Sequence, residues 1–149
     1  MPTRMVATDR ILFLCVHNSS RSQMAEGFAR RLFARRKDLE VASAGTDPRG
    51  VNPFAVRAMA EKGIDLSSHY SKHLDQTLPP ALVITLCGES EQSCLAFAAA
   101  VRIEHWGLPD PARAEGSDEE KLQVFRKIRD QIERLVEELA ARLFRTPQG

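Results

Sequence analysis

The sequence predicts an α/β domain built on a four-stranded parallel sheet with helices on both faces. Three observations lead there. Apolar runs of strand length alternate along the chain with longer segments whose apolar residues recur at helical spacing. The run at 81–86 is apolar almost throughout, the pattern of a strand covered on both faces. The 149 residues contain no repeat, low-complexity stretch or linker, so one domain over 1–149 with one proper core is expected.

Each element has its own signal. Ile11-Leu12-Phe13-Leu14 reads as a first buried strand. Residues 22–33 read as a helix, with Met24, Phe28 and Leu32 at spacing four. Residues 40–44 make a short second strand closed by Gly45. Asn52 suits a helix N-cap and Pro53 the first helical position, with Val56, Met59 and Ala60 as the apolar face and Gly63 as the stop. Residues 81–86 form the third strand, and 100–106, which alternate, the fourth. From Ser117 to Phe144 the chain reads as one long amphipathic helix. Ser117 and Glu120 make its capping box, and Phe125, Ile128, Ile132, Leu135 and Leu139 its buried stripe.

Composition narrows the function. With 43% hydrophobic and 28% charged residues the chain is of ordinary globular make-up. A net charge of +1 argues against a nucleic-acid partner. The basic group Arg30, Arg31, Arg35, Arg36 and Lys37 sits where cations complement a helix C-terminus. No stretch has the length of a membrane span and the N-terminus has no signal-peptide core, so a cytoplasmic protein is expected. There its three cysteines should rest as thiols, and any disulfide should be transient and catalytic.

The most informative segment is Cys15-Val16-His17-Asn18-Ser19-Ser20-Arg21-Ser22. It joins the first strand to the first helix and sets a cysteine and an arginine six residues apart around a polar loop. Backbone N–H groups of such a loop converge with the positive end of the helix, a geometry that holds an oxyanion. Arg21 adds a planar fork of donors that matches a tetrahedral oxyanion. The same field favours the thiolate of Cys15, its nucleophilic form. A lone cysteine at a strand end is ordinarily an inert small hydrophobe, but the spacing, loop and strand-to-helix context together reverse that reading.

Two further cysteines and an aspartate fall on the same sheet edge. Cys87 directly follows the third strand, and Cys94 comes seven residues later. Seven residues of helix span about 10 Å, whereas a disulfide needs Cα atoms within about 7 Å. A bond between Cys87 and Cys94 therefore requires the segment to unwind, as a redox switch would; Cys94 alone also reads as a core residue ahead of Leu95-Ala96-Phe97. The spacings do not suit a zinc site with His17 or His105, and no metal is expected. Asp110, between Pro109 and Pro111, follows the fourth strand on a stiff loop. Alone it reads as a turn residue; beside the cysteine loop it reads better as a general acid.

The loop from Cys15 to Glu26 together with Asp110-Pro111 resembles the low-molecular-weight protein tyrosine phosphatases. Thr85-Leu86-Cys87, Cys94 and His105-Trp106-Gly107 are similar to the thioredoxin-coupled arsenate reductases of that superfamily. Ser43-Ala44-Gly45 and Gly50-Val51-Asn52-Pro53 match too, so the resemblance spans almost the whole chain. It implies the low-molecular-weight phosphatase fold and a relay through Cys15, Cys87 and Cys94. In that relay the loop Val16, His17, Asn18, Ser19, Ser20, Arg21 and Ser22 binds arsenate, Ser22 supports the thiolate and Asp110 acts as acid. Thioredoxin or a similar dithiol protein would be the reductant, the chain a monomer, and no organic cofactor would be needed.

Two departures stand out. Several members of the family bind potassium through residues corresponding to Asn18, Glu26, Ser43 and two later positions, which here are Tyr70 and Lys72 in place of the familiar Thr and Asp. The Lys72 ammonium is expected to take the cation's place near Glu26, with a solvated surface lysine as the equal alternative. Leu95 follows Cys94 where proline is common. The rival function is a phosphatase acting on phosphate monoesters, since phosphate and arsenate are near isosteres. Against a phosphotyrosine role, Pro111 is followed by Ala112-Arg113-Ala114 rather than an aromatic pair. A non-catalytic anion-binding or redox-sensing module is the third reading, and intact Cys15, Arg21 and Asp110 argue against it.

Overall fold

The computed structural model describes residues 9–77, 80–88 and 103–144. Four strands, β1 (Asp9–Cys15), β2 (Leu39–Gly45), β3 (Leu82–Thr85) and β4 (Ile103–His105), form one sheet in the order β2-β1-β3-β4. All pairs are parallel. Cys15 aligns with Gly45, Leu14 with Thr85, and Thr85 with His105, so these strand ends share one edge. The order reverses beside β1, and the crevice beyond the strand ends at such a reversal is where open parallel sheets bind ligands. Cys15 stands at that point. The part of the expected fourth strand before Ile103 lies outside the described residues.

β1 explains why its sequence is an unbroken apolar run. Successive side chains point to opposite faces, and both faces are covered. Ile11 and Phe13 join a large cluster with Ile84 and Leu86, and Leu12 and Leu14 join a smaller one with Cys15, Ala44, Val83 and Cys87. Helices α1 (Arg21–Leu32), α2 (Pro53–Ala60) and α3 (Asp118–Leu143) all feed the large cluster. Leu74, from a short 3-10 turn, packs on the smaller one. Thus the described helices cover one face of the sheet; 89–102, which join β3 to β4, lie outside the described residues.

Local signals set the helix ends. Asn52 Oδ1 accepts from Phe54 N at 2.8 Å and Pro53 opens α2. Gly63, at φ 78, takes the left-handed turn that favours glycine after the helix. Ser117 Oγ accepts from Glu120 N at 3.1 Å while Glu120 Oε1 accepts from Ser117 N at 2.8 Å, the reciprocal capping box read from the sequence. The buried faces needed correction. In α2 the fully buried residues are Ala55, Ala58 and Met59, with Val56 only half-buried and Ala60 exposed. In α3 Leu122 and Val136 are buried beside Phe125, Ile128, Ile132 and Leu139, and Leu135 lies at the margin. Leu32 is 42% exposed because α1 ends there and Phe33 turns inward instead. No described helix is long and apolar enough to cross a membrane.

Candidate active site

Residues 16–20 form a bend between β1 and α1 whose carbonyls are all held from behind. Val16 O accepts from Asp47 N at 2.7 Å, His17 O from Arg49 N at 3.1 Å, and Ser19 O from Asn52 N at 2.9 Å. Asn18 O accepts from Ser71 Oγ at 2.6 Å, and Ser20 O from Met24 N at 2.9 Å. Because each peptide is planar and trans, carbonyls turned outward leave the N–H groups to face the concave side. Gly45 permits this fit: a Cβ there would stand 2.4 Å from Val16 O and 2.9 Å from Asn18 N. Asn18 adopts φ 49, a left-handed conformation that asparagine tolerates better than most residues.

Asn18 is the hub. Its Oδ1 accepts from Lys72 N and from Gln23 Nε2, both at 3.0 Å, and its Nδ2 donates to Ser22 Oγ at 2.8 Å and Ser43 Oγ at 2.9 Å. The Lys72 backbone amide can only donate, which fixes which end of the Asn18 amide is oxygen. The Tyr70 carbonyl, accepting from Gln23 Nε2 at 3.0 Å, fixes Gln23 in the same way. Ser22 Oγ, accepting from Asn18, also shares a hydrogen bond with Cys15 Sγ at 2.9 Å. At the far end His69 Nδ1 donates to Gln23 Oε1 at 2.9 Å, and burial pushes the imidazole below its ordinary value.

The remaining expected groups meet around the loop. Arg21, 2% exposed, donates from Nη1 to Leu86 O at 3.1 Å and Leu108 O at 2.9 Å, tying the segments after β3 and β4 to the first turn of α1. Its Nη2 lies 3.9 Å from Asp110 Oδ2. Asp110 Oδ1 accepts from Ala112 N at 2.9 Å, capping a 3-10 turn at Pro111–Arg113 as a turn residue does, and Asp110 also lines the pocket. That pocket, about 160 Å³, is bounded by Cys15, His17, Ser19, Ser20, Arg21, Arg49, Asn52, Asp110 and Ala112. It is below the range of drug-sized ligand sites and of a size for a small oxyanion. Among the described residues Ser20 Oγ is buried without a hydrogen-bond partner, and Ser20 caps α1 without a side-chain bond. An anion in the pocket would satisfy both.

Cys15 is a buried free thiol. Cys87, expected at rest as a thiol, is disulfide-bonded. It is fully buried directly after β3, on the same sheet face as Cys15, with Sγ 3.9 Å from Leu14 O. Cys94 and Leu95 lie outside the described residues. Near Glu26, the carboxylate accepts from Arg30 Nε at 2.7 Å and from Ser43 Oγ. Lys72 is half-buried, its Nζ 3.3 Å from Tyr70 O and 4.7 Å from the Tyr70 ring centre. Burial pushes its ammonium down, opposed by Glu26 and assisted by Arg30. Among the described residues no three His, Cys, Asp or Glu side chains gather as a metal site. The parts played by Gln23, His69 and Arg49 were not legible in the sequence, because each acts through contacts made only in the fold.

The family model for low molecular weight phosphotyrosine protein phosphatase matches residues 10–148. The chain belongs to that family. Within it, the arsenate reductase of Halalkalibacterium halodurans is 48% identical over 132 residues, 87% of this chain and 94% of the relative. The arsenate reductase of Bacillus subtilis is 45% identical over the same share of both. Among solved structures, an arsenate reductase in the phosphate binding state superposes with a TM-score of 0.75 at 36% identity, covering 90% of this chain and 98% of that one. The YwlE arginine phosphatase, at 24% identity and a TM-score of 0.74, shares the fold.

Proposed function

We propose that this low-molecular-weight phosphatase family member is an arsenate reductase working through three cysteines in one cytoplasmic, monomeric domain. The Cys15 thiolate attacks arsenate held by the backbone N–H groups of residues 16–22 and the Arg21 fork. Asp110 protonates the departing oxygen, which leaves as water, and a Cys15–arsenic(V) adduct remains. The Cys87 thiolate then attacks Cys15 Sγ. The sulfur–arsenic bond breaks with its electron pair going to arsenic, which leaves as arsenite, and a Cys15–Cys87 disulfide forms. The Cys94 thiolate attacks Cys87 Sγ and releases the Cys15 thiolate, after which thioredoxin or a similar dithiol protein reduces the Cys87–Cys94 bond. Arsenic accepts the two electrons, so the chain needs no redox cofactor.

The observation that supports this reading best is the placement of Cys15, a buried free thiol under an anion loop, on one sheet face with an oxidised Cys87. A phosphatase needs only the first of these. In this reading the Lys72 ammonium takes the place of the potassium bound by several members of the family, beside a Glu26 that Arg30 Nε also holds at 2.7 Å. The test is turnover of arsenate with thioredoxin, thioredoxin reductase and a nicotinamide reductant, followed as nicotinamide oxidation in potassium and in sodium buffers. Sustained turnover at equal rates in the two salts, abolished by Cys87→Ser or by Cys94→Ser, is expected. Full turnover in either variant would defeat the relay. The phosphatase reading draws on Cys15, Arg21 and Asp110, which suffice for monoester hydrolysis; it would prevail if only an aryl phosphate were consumed.

A further inference from the structure

We infer that Arg49 is an outer guanidinium of the oxyanion pocket and sets how tightly a tetrahedral dianion is captured, an inference that deepens the reading of the Cys15 site and rests on it. The segment carrying Arg49 runs beside the anion loop and is fastened to it through Asp47 N, Arg49 N and Asn52 N and by His17 Nδ1 at 2.9 Å from Asp47 O. The Arg49 backbone is thus one hydrogen bond from His17, and Arg49 lines the pocket with Ser20, Arg21 and Asp110. Its Nε and Nη2 both donate to one oxygen, Asp47 Oδ2, at 3.0 and 2.8 Å. Nη1 has no partner among the described residues.

A purely structural role explains little. The two side chains are 65% and 53% exposed, where an ion pair adds little stability, and the backbone bonds already fix the segment. The charges around the pocket explain more. Arg21 is buried and already bonded to Leu86 O and Leu108 O, and Asp110 stands 3.9 Å from it. In its ionised form Asp110 repels an arriving dianion and offsets the Arg21 charge. Arg49 is a second cation at the rim, and Asp47, which also lies 3.6 Å from His17 Nδ1, holds and neutralises it until an anion competes for it.

The test uses inorganic phosphate and measures its protection of Cys15 from iodoacetamide by mass spectrometry, a readout that needs no electron transfer. Arg49→Gln is expected to weaken protection roughly three- to tenfold at low ionic strength, with the deficit shrinking as salt is added. In arsenate turnover the loss should fall on KM rather than kcat. Arg49→Lys should recover part of it by restoring charge without the fork, and Asp47→Asn should tighten phosphate binding by releasing Arg49. Equal protection of the wild type and Arg49→Gln at low ionic strength would overturn the inference. So would Asp47→Asn weakening phosphate as much as Arg49→Gln, since the pair would then be a structural clasp. Absence of arsenate turnover with phosphate protection altered as expected would defeat the reductase reading alone.

Discussion

Two polar networks, one around Asn18 and one around Glu61, do different things in this molecule. Around Asn18, four hydrogen bonds converge on one fully buried amide and connect Lys72, Gln23, Ser22 and Ser43. Around Glu61, Arg126 and Arg129 converge on one half-exposed carboxylate and clamp the end of α2 to α3. Arg129 Nη1 also donates to Ala58 O at 2.9 Å. In the dry network a lost partner leaves other buried groups unsatisfied, and the polarity of every bond is dictated by backbone groups that cannot flip. In the wet one, water replaces whatever is removed. The buried network therefore specifies geometry, down to which end of the Asn18 amide is oxygen; the exposed one only adds a little adhesion between helices.

Breaking the buried hub gives the larger effect. Asn18→Ala should cost roughly 2–4 kcal/mol in chemical denaturation, since it strands Ser22, Ser43, Gln23 and the Lys72 amide and puts a Cβ-only residue at positive φ. Iodoacetamide labelling of Cys15 at fixed pH should slow in parallel; unchanged stability and labelling would refute the hub. Glu61→Gln should cost less than about 1 kcal/mol at neutral pH, because the site is wet. Its signature is in acid. The Arg126 and Arg129 guanidiniums, Arg126 foremost, hold the Glu61 carboxyl at about 2, below its ordinary 4.5. A depressed carboxylate contributes stability above its unfolded value and loses it as pH falls toward the folded one. The wild type should thus lose its advantage over Glu61→Gln between pH 4.5 and about 2; an advantage that persisted at pH 2 would contradict this assignment.

The same contrast governs what could be read from the sequence. Strand and helix positions were legible because apolar periodicity and caps such as Asn52, Ser117 and Gly63 are local. Cys15, Arg21 and Asp110 were legible as one site because a parallel sheet gathers the segments after its strands at one edge. Faces of helices were less so: Leu32 is apolar yet turned out at a helix end, and small Ala55 and Ala58 are buried in α2 where larger Val56 is not. The bonds from Gln23 to Tyr70 and His69 join residues more than forty positions apart, and Arg49 reaches the pocket through a backbone match with His17. Such contacts exist only once the chain has folded.

The central claim is that oxidation passes from Cys15 to Cys87. The most direct measurement is a single turnover of Cys94→Ser protein, fully reduced, mixed with arsenate and quenched by alkylation for peptide mass spectrometry. One arsenite released per chain and a Cys15–Cys87 disulfide accumulating at the same rate are expected. Arsenite release with Cys87 fully alkylated would contradict it.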